Sequence, residues 1–219
     1  MSARVLKCLF FMILVRPLVL LLIGLNVYHR ERLPNTGPHV IIANHNSHLD
    51  TLVLMGLMPM RLLWRTRPVA AADYFLANKW VAWFSCNVLD IIPVHRKGRV
   101  GRVHPLKGCF DALDAGDILI LFPEGSRGKP EQMQPLKKGI SHLLRDYPHV
   151  GVTPVLLRGL GRALPKGEAL LVPVNCDVAI GEALYLEEDE AAFMADIEAR
   201  FRALAPLCTA GVWLDHSTP

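Results

Sequence analysis

Short apolar runs alternate with segments of helical spacing along most of the chain, and this alternation is the main indication of the fold. Runs typical of buried strands cover residues 39–43, 69–72, 89–94, 117–122, 152–157 and 169–180. Segments with helical spacing cover residues 51–55, 74–88, 104–115, 137–147 and 187–204. Strands that alternate with helices predict an α/β layer fold, so we expect a single domain with a central mixed, largely parallel sheet flanked by helices.

Residues 5–28 are almost entirely apolar and raise the question of a membrane. A bilayer-spanning helix needs about 20 apolar residues, but Arg16 and Pro17 interrupt this run. A charge is costly inside a bilayer and proline lacks a backbone donor, so the pattern favours a kinked or half-inserted anchor over a clean span. A signal peptide and a buried core helix are the alternatives.

Composition narrows the classes of function. The chain has 219 residues, which fits a single domain with a sizeable core. Its formal net charge of +4 is too small to indicate a nucleic-acid binder, but it suits contact with anionic lipid. The five cysteines are scattered and form no CxxC pair, which argues against a disulfide framework and favours a reducing compartment.

A histidine and an aspartate follow the strand predicted at 39–43. His45 is the candidate general base, because an imidazole takes up a proton near neutral pH. Asp50 is its candidate partner, placed to hold the other ring nitrogen and to stabilise the imidazolium. The two positions lie on different faces of one straight helix, so the pair requires His45 before a helix and Asp50 in its first turn. The spacing is also compatible with a structural histidine and an aspartate at a helix N-terminus.

His48 opens a second interpretation of this segment. With His45 and Asp50 it forms H-x-x-H-x-D, a pattern compatible with a metal site. The sequence offers no clear cluster of further ligands, so we expect no metal. A metal-dependent hydrolase that uses His45, His48 and Asp50 stays open as the alternative from another class.

A second polar turn follows the strand predicted at 117–122. It contains Glu124, Gly125, Ser126 and Arg127. Glycine lets backbone amides approach an anion and arginine pairs with phosphate, so the turn is a candidate substrate-binding site. Arg96 also follows a predicted strand, and ligands of α/β sheets gather at the carboxyl ends of strands, which makes it a second phosphate-binding candidate. The absence of G-x-S-x-G and of Walker A patterns disfavours an α/β-hydrolase and a P-loop enzyme.

Taken in this order, the motifs resemble those of the 1-acylglycerol-3-phosphate acyltransferase family. Asn44, His45 and Asp50 match the family's N-H-x-x-x-x-D, and residues 122–128 are similar to its F-P-E-G-T-R-S. Residues 91–96 resemble the family's strand that ends in arginine, and residues 152–155 resemble its proline-containing block. The resemblance runs from about residue 34 to residue 183, which is most of the chain.

The resemblance implies an O-acyltransferase that needs neither a cofactor nor a metal. Its donor is a fatty acyl thioester, acyl-CoA or acyl carrier protein, and its acceptor is a lysophospholipid, foremost 1-acylglycerol-3-phosphate, which gives phosphatidic acid. In that family the histidine deprotonates the acceptor hydroxyl, so His45 is the implied base and Asp50 its partner. The residues implied to bind the acceptor are Glu124, Gly125, Ser126 and Arg127, with Arg96 on its phosphate.

The resemblance also implies a location, since the family's N-terminal hydrophobic helices sit in the membrane. We therefore expect a membrane-associated helical segment over residues 1–32 and an acyltransferase catalytic domain over residues 33–219. The expected location of the protein is the cytoplasmic face of the inner membrane. We expect the bilayer as a partner and no nucleic-acid partner.

Three departures from the family concern the acceptor headgroup. Ser126 replaces the usual threonine and keeps its hydroxyl, whereas Gly128 replaces the usual serine and loses a polar contact. The lysine that often follows the family's second strand is absent from residues 70–73, which read Ala-Ala-Ala-Asp. Weaker binding of phosphate suits another lysolipid, such as lyso-ornithine lipid. This lipid is the alternative acceptor if the protein is an acyltransferase. A non-catalytic lipid-binding protein with the same fold is a third possibility.

Overall fold

The computed structural model describes residues 3–22, 24–75, 78–94, 104–126, 128, 132–163 and 175–209. Its strands are β1 (Gly24–Tyr28), β2 (His39–Ala43), β3 (Thr66–Ala71), β4 (Ile92–Val94), β5 (Ile118–Leu121), β6 (Val152–Arg158) and β7 (Asn175–Ile180). Within the described residues these seven strands form one sheet in the order β1-β7-β6-β2-β5-β3-β4. Neighbours are parallel except β6 and β7, which are antiparallel. The predicted α/β fold with a mixed, largely parallel sheet is therefore confirmed.

The middle of the sheet is apolar on both faces, which is why β2 lies there. Val40 and Ile42 pack against one layer of helices, whereas Ile41 and Ala43 pack against the other, and all four side chains are buried. A continuous apolar run of this kind is what a parallel strand needs when helices cover both of its faces.

Helices cover both faces of this sheet. They are α1 (Ala3–Phe10), α2 (Arg16–Leu22), α3 (Leu49–Leu57), α4 (Met60–Leu63), α5 (Ala72–Phe75), α6 (Lys79–Asn87), α7 (Lys107–Asp114), α8 (Gly139–Leu144), α9 (Leu160–Ala163) and α10 (Glu190–Leu204). The N-terminal helices, α3 and α4 bury their apolar side chains on the Ile41 face of the sheet. Helices α7, α8 and α10 bury theirs on the Ile42 face. The result is a sheet between two helical layers.

The N-terminal segment is helical on both sides of Arg16 and Pro17. A π-helical turn, Phe11–Val15, lies directly before these two residues, and such widened turns commonly accompany bends next to proline. The guanidinium of Arg16 folds inwards, where Nη2 donates to the carbonyl of Met58 over 2.7 Å and Nε donates to the carbonyl of Gly56 over 3.2 Å. These carbonyls lie at the end of α3, so the charge of Arg16 stabilises a helix C-terminus.

This segment presents apolar side chains both to the core and to the outside. Phe11 and Val15 are buried in the core, whereas Met12, Ile13 and Leu14 are exposed. Among the described residues, no helix is both long enough and apolar enough to cross a membrane. The anchoring role of residues 1–32, and the boundary with residues 33–219, stay predictions.

The prediction that the N-terminal helical segment reaches residue 28 and beyond is wrong, because Gly24–Tyr28 forms the edge strand β1. This strand pairs in parallel with β7, and Asn26 Nδ2 donates to Oδ1 of the buried Asp177 over 2.9 Å. The partner strand comes about 150 residues later, and local periodicity carries no information on such a pairing.

The single helix predicted at 74–88 is also wrong in detail. The structure has α5 before Asn78 and α6 after it, and the Asn78 side chain accepts hydrogen bonds from the backbone N–H groups of Trp80 and Val81. A side chain that caps an N-terminus in this way starts a new helix. Residues 169–174 of the last predicted strand lie outside the described residues, and β7 covers the remainder.

Candidate active site

The two polar motifs meet at one edge of the sheet. Strands β2 and β5 are parallel neighbours with Ile42 opposite Leu121, so their carboxyl ends lie side by side. The backbone N–H of His45 donates to Oε1 of Glu124 over 2.8 Å, although the two residues are 79 positions apart. The structure therefore brings the first and second motifs into direct contact.

His45 and Asp50 form the hydrogen-bonded pair that the sequence predicts. Nδ1 of His45 lies 3.0 Å from Oδ2 of Asp50, and a carboxylate only accepts, so the proton of the neutral imidazole lies on Nδ1. This tautomer leaves Nε2 with a free lone pair, which is the requirement for a general base. The His45 side chain is 19% exposed and that of Asp50 is fully buried. A substrate hydroxyl therefore has access to the ring, whereas the carboxylate is excluded from solvent.

The turn between β2 and α3 sets this geometry. Asp50 lies in the first turn of α3, where its Oδ2 also accepts the backbone N–H groups of Asn46 and Ser47 over 2.7 and 2.8 Å. Three donors thus converge on one carboxylate oxygen, and the chain between base and carboxylate is closed into a tight loop. Such bonds to the ionised form hold the carboxylate in one orientation, as a positioning group requires.

Phe122 fixes the other face of the imidazole. Its ring stacks on that of His45 with centroids 4.0 Å apart and planes at 21°. Together with Asp50 it leaves the ring little rotational freedom. The sequence includes Phe122 in the second motif, but nothing in the sequence indicates that it packs on the base.

Glu124 joins three segments of the site. One carboxylate oxygen accepts the N–H of His45, and the other accepts the N–H of Gln134 over 2.9 Å. Burial raises the pKa of Glu124, and the hydrogen bonds from the Gln134 and His45 amides act in the opposite direction. These contacts show that Glu124 orders the loops of the site. Binding of the acceptor by Glu124 stays a prediction.

The rest of the turn presents backbone to the site. Gly125 has φ of 72°, a left-handed conformation that favours glycine, and its N–H donates to the carbonyl of Phe122 over 2.9 Å. Ser126 is exposed beside it. The N–H of Gly128 donates to the carbonyl of His45 over 3.2 Å, which ties the turn to the first motif a second time.

Two predicted phosphate ligands, Arg127 and Arg96, lie outside the described residues. His48, the third member of the H-x-x-H-x-D pattern, is exposed at the residue before α3. Within the described part of the chain, no group of three His, Cys, Asp or Glu side chains is arranged to hold a metal ion.

Two residues make contacts at the site that the sequence does not indicate. Asn44 extends the β2–β6 ladder through its side chain, which donates to the carbonyl of Leu157 over 2.8 Å and accepts its N–H over 2.7 Å. Gln134 contributes only its backbone N–H to Glu124. A backbone contact from a loop leaves no residue-type preference that could have identified Gln134.

A cavity of about 560 Å³ opens beside this site on the α10 side of the sheet. Its lining includes Asn44, Gln134, Leu156, Arg158, Phe201 and Arg202. The cavity adjoins the site through two of its lining residues: Asn44 precedes His45 in the chain, and the N–H of Gln134 donates to Glu124. Its size falls in the range of about 300–1,000 Å³ that small-molecule sites occupy.

Comparison with known proteins places this geometry in a family. Residues 24–158 match a model of the family described as Acyltransferase. The chain is 28% identical over 157 residues to the chloroplastic 1-acyl-sn-glycerol-3-phosphate acyltransferase BAT2 of Brassica napus, covering 71% of this chain and 43% of that protein. It is 28% identical over 160 residues to the 1-acyl-sn-glycerol-3-phosphate acyltransferase alpha of Mus musculus, covering 72% and 54%. The chain thus spans about half the length of the curated relatives it matches.

The fold has a solved counterpart. The crystal structure of the 1-acyl-sn-glycerophosphate (LPA) acyltransferase PlsC from Thermotoga maritima superimposes with a TM-score of 0.70, covering 93% of this chain and 80% of that one at 22% identity. The matched residues 24–158 include β2, α3, β5 and both polar motifs. This chain belongs to the acyltransferase family.

Proposed function

We propose that the protein transfers a fatty acyl group from an acyl thioester to the free hydroxyl of 1-acylglycerol-3-phosphate, giving phosphatidic acid. The observation that carries the proposal is the His45–Asp50 pair, in which a buried carboxylate orients a partly exposed imidazole. The names of the relatives support this acceptor. Another lysolipid, such as lyso-ornithine lipid, is the alternative acceptor.

The reaction follows from the tautomer of His45. Nε2 accepts the proton of the acceptor hydroxyl as its oxygen attacks the thioester carbonyl carbon. Asp50 stabilises the imidazolium that forms, because its ionised oxygen stays bound to Nδ1–H. Collapse of the tetrahedral intermediate breaks the C–S bond, and the imidazolium returns the proton to the leaving sulfur. The products are an ester and a thiol, and His45 is neutral again.

The acceptor headgroup belongs, in this proposal, at the turn of residues 124–127. Gly125 and Ser126 follow Glu124, whose carboxylate accepts the N–H of His45. Arg127 and Arg96 are the proposed guanidinium ligands of the phosphate. A planar guanidinium matches phosphate oxygens with two parallel hydrogen bonds, which suits a phosphomonoester.

The donor is acyl-CoA or acyl carrier protein, and both carry the acyl group on a pantetheine arm. In this proposal the arm lies in the cavity lined by Asn44, which precedes His45 in the chain, and by Gln134, whose N–H donates to Glu124. Its lining combines apolar side chains such as Leu156 and Phe201 with polar ones, as the alternating amides and methylenes of pantetheine require.

The protein works, in this proposal, at the cytoplasmic face of a membrane, where a lysophospholipid is available. The exposed apolar side chains Met12, Ile13, Trp80 and Trp83 support a docking surface, which we call the apolar flank. The N-terminal helices and α6 touch through Phe10 and Phe84, whose rings meet edge to face with centroids 5.2 Å apart. Tryptophan is enriched at membrane–water interfaces. The five cysteines form no disulfide bond with one another, which suits a reducing compartment.

The test is thiol release from acyl-CoA, acyl carrier protein and acyl-pantetheine, with and without 1-acylglycerol-3-phosphate. We expect release that depends on the acceptor, with phosphatidic acid as the product by mass spectrometry. His45→Ala should lower the rate by about 100-fold or more, whereas His48→Ala should leave it unchanged. Turnover of acyl-pantetheine would support the proposal that the pantetheine arm is sufficient for recognition of the donor.

Other outcomes of the same assay would point elsewhere. Release only with lyso-ornithine lipid would replace the acceptor and keep the mechanism. Release without any acceptor that chelators abolish, together with loss of activity in His48→Ala, would favour the metal-dependent hydrolase. A His45→Ala variant with full cellular function would favour a non-catalytic lipid-binding protein.

A further inference from the structure

Lys137 lies against the turn that carries the proposed acceptor site. Its backbone N–H donates to the carbonyl of Pro123 over 2.9 Å, which places the residue beside Gly125. A Cβ atom added to Gly125 would lie 2.7 Å from Nζ of Lys137 and 3.0 Å from its Cδ. The lysine side chain therefore crosses the glycine of the turn, and its ammonium lies at the face where the turn has no side chain of its own.

Among the residues that the structure describes, no carboxylate forms an ion pair with this ammonium. No ion pair or hydrogen bond joins Nζ of Lys137 to any other described residue. The adjacent carboxylate, Glu124, uses its two oxygens for the backbone amides of His45 and Gln134. The described part of the site thus holds a positive charge at the Gly125 turn, where it can meet a ligand.

The end of β3 supplies no cation to this edge of the sheet. Residues 70–73 read Ala-Ala-Ala-Asp, and Asp73 is exposed at the start of α5, so this segment contributes a negative charge. A cation from another segment adds to the attraction that the proposed guanidinium ligands exert on a phosphate.

We propose that Lys137 is a specificity-determining residue that binds the phosphate of the acceptor at the Gly125 turn. The inference rests on the proposed function and deepens it, since it names the group that selects a phosphomonoester over a neutral headgroup. The ammonium is a compact charge on a flexible stem, so it follows the phosphate without the fixed two-pronged geometry of arginine. Gly125 keeps the space for that stem, because any larger residue would displace it.

The test compares Lys137→Gln with Lys138→Gln, a matched control one position along. Lys138 is also exposed, and its backbone carbonyl accepts hydrogen bonds at the start of α8. We expect Lys137→Gln to raise the KM for 1-acylglycerol-3-phosphate about tenfold, because the substitution removes one charge-assisted contact. The KM for the acyl donor and the melting temperature should stay at wild-type values. Lys137→Arg should restore most of the affinity, and Lys138→Gln should behave as wild type.

A second measurement needs no turnover. Calorimetric binding of a water-soluble, short-chain 1-acylglycerol-3-phosphate should weaken in Lys137→Gln, whereas a monoacylglycerol without phosphate should bind wild type and variant alike. Equal acceptor KM values in Lys137→Gln and Lys138→Gln, or an equal rise for donor and acceptor, would overturn the assignment while leaving acyl transfer intact. A wild-type protein that neither binds nor acylates the phosphate-bearing acceptor would overturn the proposed function as well.

Discussion

At the scale of single residues, the site depends on one carboxylate that organises a loop and a base at once. Oδ2 of Asp50 accepts the Nδ1–H of His45 and the backbone N–H groups of Asn46 and Ser47. The backbone bonds position the carboxylate, and the bond to Nδ1 selects the imidazole tautomer. These two functions can be tested separately with asparagine in place of Asp50. Its amide oxygen still accepts the backbone hydrogen bonds but carries no charge to stabilise an imidazolium.

Replacement of Asp50 by asparagine therefore tests the charge of this group. We expect Asp50→Asn to lower kcat/KM by about 100-fold or more, since the imidazolium loses its counter-charge. The melting temperature should fall only slightly, because the amide is of the same size and keeps acceptor bonds. Asp73→Asn, at an exposed aspartate, is the control. A kcat/KM for Asp50→Asn within twofold of wild type would contradict the orienting role.

At the scale of elements, the N-terminal helices and α6 carry the side chains of the apolar flank. The N-terminal helices are also hydrogen-bonded to the rest of the domain. Arg16 binds the carbonyls that end α3, and Lys7 donates to the carbonyl of Thr66 over 2.7 Å. Burial lowers the pKa of Lys7 to about 8, with Asp90 acting against the shift. The charges that interrupt the apolar run thus point into the protein, which leaves the outer face of the segment apolar.

The apolar flank predicts membrane binding that depends on its tryptophans. Trp80 and Trp83 are 83% and 55% exposed, and an aromatic side chain that enters the interface buries up to about 150–250 Å². The double variant Trp80→Ala, Trp83→Ala should bind vesicles of phosphatidylethanolamine and phosphatidylglycerol about tenfold or more weakly in a flotation assay.

The control for this assay is Tyr185→Ala, an aromatic residue that is 56% exposed and lies outside the apolar flank. It should bind vesicles as the wild type does. Equal binding by the double tryptophan variant and by Tyr185→Ala would show that the membrane contact lies elsewhere.

At the scale of the whole molecule, stability depends on a histidine at the start of the central strand. Nε2 of His39 lies 2.9 Å from Oγ1 of Thr153, across the β2–β6 pair. Burial lowers the pKa of His39 to about 4. The unfolded chain binds this proton below about pH 6.5 and the folded protein only below about pH 4, so stability is lost as the pH falls through that window.

Urea unfolding at pH 7 and pH 5 measures this loss. Between these values the wild type should lose on the order of 1–2 kcal/mol more of its free energy of unfolding than His39→Gln, which cannot take up the proton. His149→Gln, at an exposed histidine, should lose as much as the wild type. An identical pH dependence in His39→Gln and the wild type would exclude His39 as the source.

The sequence alone determined the class of fold and the pairing of His45 with Asp50. Strands β2, β5 and β6 are predicted because their apolar runs are short and buried on both faces, a pattern that depends only on local composition. The pairing of His45 with Asp50 is predicted from their spacing, because a strand end followed by a helix start is a local geometry. Neither prediction requires knowledge of contacts between distant segments.

Only the tertiary structure decided which distant segments meet. The pairing of β1 with β7 and the stacking of Phe122 on His45 join residues brought together by the sheet order. The position of Lys137 over Gly125 depends on how the connection between β5 and α8 folds back on itself. Such contacts have no period in the sequence, since they depend on how loops cross the sheet edge and on which strands become neighbours. For the same reason residues 24–28 look like part of an apolar helix in the sequence but become a strand when β7 supplies the hydrogen bonds that a strand edge lacks.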